Sequence, residues 1–170
     1  ILSLIFWNYL TLIKPNKKDI KIKNIMPEIF LTLIFIQIII GAFVSGMDAG
    51  KIYNTWPLMG SSYFPDDNSF INLFKFSAFS DPSLVQYIHR NLAYLIFFSY
   101  LIICFTIFKK KIVLLFKSVI VLGIIIFFQI ILGILTVLSG ASIITASLHQ
   151  FSSILLVISA LFFLYKSRYS

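Results

Sequence analysis

The sequence predicts an all-α, polytopic membrane protein, in which a four-helix transmembrane bundle follows the end of one further helix. Three observations support this fold class. The 170 residues are 59% hydrophobic, and only 12% of them are charged, whereas a soluble domain averages about 25%. Four apolar runs are long enough to cross a bilayer, which takes about 20 residues. Lysine-rich segments separate these runs or end them.

The order of elements follows from the lengths of the apolar runs. The first run, residues 1–13, is too short to span a bilayer, so we expect it to be the tail of a truncated transmembrane helix and the chain to be the C-terminal part of a longer protein. A basic inner loop at 14–27 follows, and 28–170 forms the four-helix unit. The four spanning runs lie at about 28–47, 84–108, 118–138 and 144–165.

The basic residues fix the expected topology. Eleven of the 14 lie in three patches: Lys14, Lys17, Lys18, Lys21 and Lys23; Lys109, Lys110, Lys111 and Lys117; and Lys166 and Arg168. Since basic connections stay on the inner side of a membrane, the other two connections, a long loop at 48–83 and a short one at 139–143, are expected outside. The second and fourth spans therefore run inward.

Charge and cysteine content exclude some classes of function. The basic residues that give the net charge of +8 lie between apolar runs. They do not form the basic stripe with interleaved aromatic residues that is typical of a nucleic-acid-binding protein, so no nucleic acid is expected as a partner. Cys104 is the only cysteine, which rules out a disulfide within this chain. It lies among apolar residues and is interpreted as a small buried side chain.

A weak internal repeat relates the two halves of the bundle. The segment "QIIIGAFVSG" from Gln37 resembles "QIILGILTVLSG" from Gln129, and each precedes an inward helix that carries a histidine. Gly41 and Gly133 would let neighbouring backbones approach closely. The two glutamines could donate hydrogen bonds to a site or link helices, and the second interpretation is the simpler one.

The two histidines are the candidate metal ligands. His89 and His149 each lie about five residues into an inward helix, roughly 8 Å below its outer end. A polar ring there needs a partner, because unsatisfied polar groups in lipid cost several kcal/mol. Zinc takes four ligands, whereas haem iron takes two from the protein. The pair therefore favours a bis-histidine haem, and the alternative is two separate polar contacts between helices.

Arg90, directly after His89, is the candidate anchor for the haem propionates, because its guanidinium binds carboxylates in a fixed fork. The alternative is a snorkelling arginine bonded to a loop carbonyl.

The loop segment "SGMDAGKIYNTWPLMG", residues 45–60, suits either an interfacial loop, a cap over the site or a docking surface, and composition leaves these open. The rest of the loop, to about residue 83, contains turn residues and a Phe-rich stretch that could include a short interfacial helix.

Four motifs together carry a family resemblance. In order, "GMDAGKIYNTWPLM", "VQYIHRNLAYL", "QIILGILTVLSG" and "LHQFSS" resemble the C-terminal half of the haem A synthase family. The resemblance implies eight transmembrane helices in two four-helix bundles. It also implies that the C-terminal bundle holds haem b, with iron between the histidines that correspond to His89 and His149.

The resemblance further implies an oxidoreductase for cytochrome oxidase assembly. The family oxidises the C8 methyl of haem O to the formyl of haem A by successive hydroxylations. The substrate haem belongs to the N-terminal half, so this chain is expected to hold no catalytic residue, to transfer electrons, and to be inactive alone. Haem O, haem O synthase, an unidentified electron-transfer partner and the lipid bilayer are the expected partners. A bacterial inner membrane, or a mitochondrial one, is the expected location, with the haem toward the periplasm or intermembrane space.

Two other classes of function are alternatives. One is a non-catalytic b-type membrane cytochrome, haem carrier or assembly factor. The other is a proton-relaying transporter, which usually carries ionisable groups near the middle of the membrane. Clear of the helix ends, the ionisable residues here are His89, Arg90 and His149, and all lie toward the outer face, which disfavours transport.

Overall fold

The computed structural model describes residues 1–13 and 25–169, and this part of the chain folds into five α-helices. It confirms the all-α class, and four of the helices are long and apolar enough to cross a membrane. The basic residues at 14–23 lie outside the described residues. The helices are α1 (Leu2–Leu12), α2 (Met26–Gly46), α3 (Pro82–Lys109), α4 (Val113–Leu138) and α5 (Ile143–Tyr169).

All four long helices begin before the apolar runs indicated, by one to five residues, and two of these starts have a clear cause. The Asp81 carboxylate caps α3 by accepting a 3.1 Å hydrogen bond from the Leu84 N–H, and Pro82 takes the first helical position, which suits its missing N–H. A tight turn with Lys111 at φ 52° lets α4 begin at Val113. Lys117, expected in the basic loop, therefore lies within α4, where its long stem can reach polar surroundings.

The four long helices form two antiparallel hairpins, α2–α3 and α4–α5, that pack side by side. Helix α2 also packs against α5, and α3 against α4, which closes the bundle. An ion pair of 3.0 Å joins Arg168 near the end of α5 to Glu28 near the start of α2. We call this end of the bundle the lysine end. The opposite end, which carries residues 47–81 and 139–142, is the cap end.

Helix α1 packs at the lysine end. Its principal neighbour is α5. The Tyr165 hydroxyl donates a 3.3 Å hydrogen bond to the Ile13 carbonyl, the Trp7 ring meets that of Tyr165 edge-on, and the Arg168 guanidinium lies over the Trp7 ring.

The hydrophobic core is concentrated toward the lysine end. In α4 every buried residue lies at or before Ile126, and in α5 every buried residue lies at or after Leu156. Between Gln86 and Ile96 of α3, none of the described side chains is buried. Buried side chains reappear at the start of α3, where Leu84 and Val85 pack under the cap, so the stretch around the two histidines lies between two buried regions.

The long connection at the cap end is ordered. It contains three 3₁₀ helices, Ala49–Lys51, Phe70–Phe74 and Phe76–Ser80. The last two correspond to the short helix expected in the Phe-rich stretch.

Candidate functional site

His89 and His149 lie at matching depth on opposite corners of the bundle. His89 is seven residues beyond Pro82 at the start of α3, and His149 is six beyond Ile143 at the start of α5, so both lie about 10 Å from the cap end of their helices. Helices α3 and α5 each pack against both α2 and α4, which puts them on a diagonal.

A glutamine on the preceding helix bonds the backbone of each histidine. The Gln37 side-chain amide donates a hydrogen bond of 3.1 Å to the His89 carbonyl, and the Gln129 amide donates one of 3.1 Å to the His149 carbonyl. The predicted internal repeat thus appears as a repeated interhelical contact. These bonds satisfy a polar side chain inside an apolar bundle and fix the height of each histidine relative to its neighbouring helix.

A glycine on the same preceding helix faces each imidazole. A Cβ added to Gly41 would lie 3.2 Å from Cε1 of His89, and one added to Gly133 would lie 3.1 Å from Cε1 of His149. The sequence predicted that neighbouring backbones would approach these glycines, but the atoms nearest to each are those of an imidazole ring. Ring edges take the space that a methyl group would fill.

The imidazole nitrogens fit a site that needs two ligands. Among the described residues, neither His89 Nδ1 nor His149 Nδ1 has a hydrogen-bond partner, although both are buried, and such atoms normally have one. His89 Nε2 lies 3.2 Å from the Gln37 side-chain nitrogen. Within residues 1–13 and 25–169, no three His, Cys, Asp or Glu side chains cluster as a metal-binding group. A porphyrin, which supplies four ligands itself, is suited to such a pair.

Arg90 binds the cap. Its Nη1 donates to the Thr55 carbonyl at 2.9 Å and to the Leu58 carbonyl at 3.3 Å, and its Nη2 donates to the Tyr53 carbonyl at 2.9 Å. This is the loop-carbonyl alternative raised from the sequence. The Nε–H is buried, without a partner among the described residues, so propionate binding remains a prediction for the hydrogens that the cap does not use.

Two further residues complete the closure of the cap end: Gln86, which the sequence did not single out, and Asn54, which the sequence placed in the loop without a role. Gln86 is buried one helical turn before Arg90 and donates to the same Tyr53 carbonyl at 3.0 Å. Asn54 donates to the Gly50 carbonyl at 3.0 Å and to the Val137 carbonyl of α4 at 3.1 Å. The cap therefore bridges both hairpins. Gln86 could have been identified from the sequence, because it is a polar residue three positions before His89. Nothing in the sequence indicated that Asn54 would contact residue 137.

Aromatic and acidic residues hold the cap together. The Trp56 indole N–H donates to the Tyr94 hydroxyl at 3.1 Å, and the Tyr53 hydroxyl donates to Asp67 at 3.0 Å. Burial, followed by the bond to Asp67, raises the pKa of Tyr53. The backbone N–H of Ser61 and the hydroxyls of Ser62 and Ser61 lower the pKa of Asp66. Of the open interpretations of residues 45–60, the contacts favour an ordered cap.

Comparison with known proteins places these residues in context. A family model described as cytochrome oxidase assembly protein matches residues 1–161. The chain is 46% identical over 167 residues to haem A synthase of Pelagibacter ubique (strain HTCC1062), covering 98% of this chain and 49% of the relative. It is 38% identical over 149 residues to haem A synthase of Rickettsia prowazekii (strain Madrid E), covering 86% and 44%. The chain spans about half the length of these curated relatives. No solved structure matches it.

Proposed function

Because this chain belongs to the cytochrome oxidase assembly protein family, we propose that it is the C-terminal, haem-binding half of a haem A synthase. His89 and His149 would hold the iron of a b-type haem. The observation that carries this proposal is the duplicated arrangement of glutamine, glycine and histidine, with both Nδ1 atoms buried and unpartnered among the described residues.

The residues around the histidines support this role by holding the ligands in place. The bonds from Gln37 and Gln129 to the histidine carbonyls hold the backbone that carries each ring. Gly41 and Gly133 leave room for the ring edges, because neither carries a Cβ at the point of contact. Ligand rings held in this way need little rearrangement on binding, which favours tight and specific coordination.

The cap would shield the site from water on its outer side. Arg90 and Gln86 attach the segment that begins at Tyr53 to α3, and Asn54 attaches it to α4. Excluding water keeps the surroundings of the site at low dielectric, which favours a defined redox potential. The Arg90 hydrogens not used by the cap are available to a carboxylate at the same height.

A bis-histidine haem supplies one-electron transfer and has no open position for oxygen or substrate. We therefore assign this half an electron-transfer role, which would serve oxidation of the haem O methyl in the other half of the protein. The names of the relatives and the matching motifs support this reaction. An electron-transfer partner, haem O and haem O synthase are the proposed partners.

We also propose that this integral membrane protein resides in a bacterial or mitochondrial inner membrane, with the cap end toward the periplasm or intermembrane space. The charge bias of the connections supports this orientation.

The test is a reduced-minus-oxidised absorption spectrum with pyridine haemochrome analysis of the purified protein. The wild type is expected to show one low-spin b-type haem, and His89→Ala and His149→Ala are each expected to lose it or convert it to high spin. Gln150→Ala, which changes an exposed neighbour of His149, serves as the control and should keep the wild-type spectrum. A wild-type protein that takes up no haem, or a low-spin haem that survives either histidine substitution, would overturn the site.

A further inference from the structure

A patch of apolar side chains projects from the cap and has no place in the proposed haem site. It consists of Phe70, Ile71, Phe74 and Phe76, with exposed fractions of 61%, 70%, 79% and 90%. We call it the aromatic patch. The two 3₁₀ helices that carry it also contain Lys75, whose Nζ donates a 2.9 Å hydrogen bond to the Asn72 side chain. So much contiguous apolar surface in a connection marks an interaction site.

The aromatic patch is held in a fixed position relative to α3. A chain of side-chain hydrogen bonds runs from Asn72 to Asn68 at 3.0 Å and from Asn68 to the capping Asp81 at 2.8 Å. Its rings also pack on one another, with Phe70 and Phe74 centroids 5.7 Å apart. The patch is therefore part of the cap structure and not a flexible excursion of the loop.

The height of the aromatic patch corresponds to the border of the bilayer. Helix α3 has 28 residues and is about 42 Å long, close to the full thickness of a bilayer with its headgroups. The second 3₁₀ helix of the patch ends one residue before the Asp81 cap, so it lies at the level where α3 leaves the membrane.

The aromatic patch is continuous with the apolar surface of the membrane-spanning helices. Phe79, next to it, packs on Phe43 of α2 with ring centroids 6.3 Å apart. Phe43 is itself 42% exposed, one turn before the end of α2. Through this pair, the apolar surface of α2 passes into the patch.

We propose that the aromatic patch inserts into the headgroup and acyl boundary of the outer leaflet and anchors the cap to the lipid surface. Phenylalanine side chains enter this boundary readily when an amphipathic element lies along it, to a depth of about 5–10 Å. Lys75 would remain among the phosphates, as lysine does at membrane surfaces.

Site-directed spin labelling in liposomes of phosphatidylcholine and phosphatidylglycerol tests this proposal. Cys104→Ala gives a cysteine-free background, in which Phe74→Cys and Phe76→Cys place a label on the aromatic patch. Phe98→Cys, 60% exposed on α3, is the hydrocarbon reference. Lys51→Cys, with a side chain 58% exposed on the cap, is the water reference. The relative accessibility of each label to oxygen and to a water-soluble nickel chelate is measured by power saturation.

Labels at residues 74 and 76 are expected to be several-fold more accessible to oxygen than to the nickel chelate, at a depth between the two references. Nickel accessibility equal to that at Lys51→Cys would mean that the patch is in water, and would overturn the proposal. Low accessibility to both reagents would overturn it in favour of coverage by protein.

Discussion

The hairpin α2–α3 and the hairpin α4–α5 place a glutamine, a glycine and a histidine in the same relation, but they differ in what surrounds these residues. In the first hairpin, Gln37 lies against both the carbonyl and Nε2 of His89, and its own Oε1 has no partner among the described residues. In the second, the Gln129 Oε1 accepts a hydrogen bond from Ser152. The orientation of that amide is therefore fixed.

The connections differ more than the helices. Residues 47–81 form an extended cap in the first hairpin, whereas residues 139–142 make a tight turn in the second, with Gly140 at φ 66° and Ala141 at φ 56°. Arg90 after His89 bonds to the cap, and Gln150 after His149 is exposed. The shared features hold the two histidines. The differing ones determine which hairpin covers the cap end, and that is the first.

The substitution with the largest expected effect tests the difference between the two hairpins. Arg90→Met keeps the apolar stem but removes charge-assisted bonds to three cap carbonyls, each such bond being worth about 1.5–3 kcal/mol when well buried. Since this guanidinium is partly exposed, we expect a loss of about 3 kcal/mol in total. Gln150→Met, at the matching position, should change stability by less than about 0.5 kcal/mol. Unfolding in mixed detergent micelles and proteolysis within residues 47–81 measure the difference. Equal effects of the two substitutions would contradict the division of roles.

The second prediction tests the contact between glycine and histidine that the two hairpins share. Gly41→Leu and Gly133→Leu each force a side chain against an imidazole edge, and overpacking of this kind costs about 1–3 kcal/mol. Both should reduce the haem-to-protein ratio to a similar extent. Gly46→Leu is the control, because a Cβ there meets no described atom within 4 Å. If only one of the two substitutions lowered the haem-to-protein ratio, the two histidines would not be equivalent ligands.

The third prediction concerns the tie between the hairpins. Asn54→Ala removes two side-chain hydrogen bonds, worth about 1 kcal/mol each. A cysteine pair reports on this tie in the Cys104→Ala background, because a Cβ at Gly50 would lie 3.1 Å from that of Ala141. We expect the Gly50→Cys/Ala141→Cys disulfide to form several-fold more slowly when Asn54→Ala is added. An unchanged rate of disulfide formation would show that Asn54 does not hold the two hairpins together.

The smallest expected effect is confined to the cap of the first hairpin. The pKa of Asp66 is lowered in the folded protein, chiefly by the Ser61 N–H. The Asp66 carboxylate therefore stabilises the cap above the unfolded pKa of about 4, and this contribution is lost as pH falls through the folded pKa. Trp56 fluorescence, followed from pH 6 to about pH 3 in a Trp7→Phe background, should change at the acid end. Asp66→Asn should abolish that transition. If the transition persists in this variant, another group causes it.

Much of the bundle could be predicted because its signals are local. Apolar length identified the four spans, and the predicted depth of His89 and His149 within α3 and α5 placed the two residues at one level. The early start of α3 was also readable, since Asp81 followed by Pro82 is a helix-start signal. The predicted start of this helix lay two residues later because hydropathy alone was used to place it.

The cap could not be predicted because its contacts depend on the path of the backbone. Arg90 bonds to carbonyls, which carry no sequence signature, and the choice between them and a propionate could not be made from residue types. The Asn54 bond to the Val137 carbonyl joins residues 83 positions apart. Composition indicated that residues 45–60 turn, but not toward which helix.

The concentration of buried residues at the lysine end has a consequence for the timing of biogenesis. Side chains of α2 to α5 can complete their core there without help from any cofactor, so membrane insertion and helix association need not wait for one. A cell could then make the polypeptide and supply its prosthetic group on independent schedules, and the polypeptide made first would already be a stable resident of the bilayer.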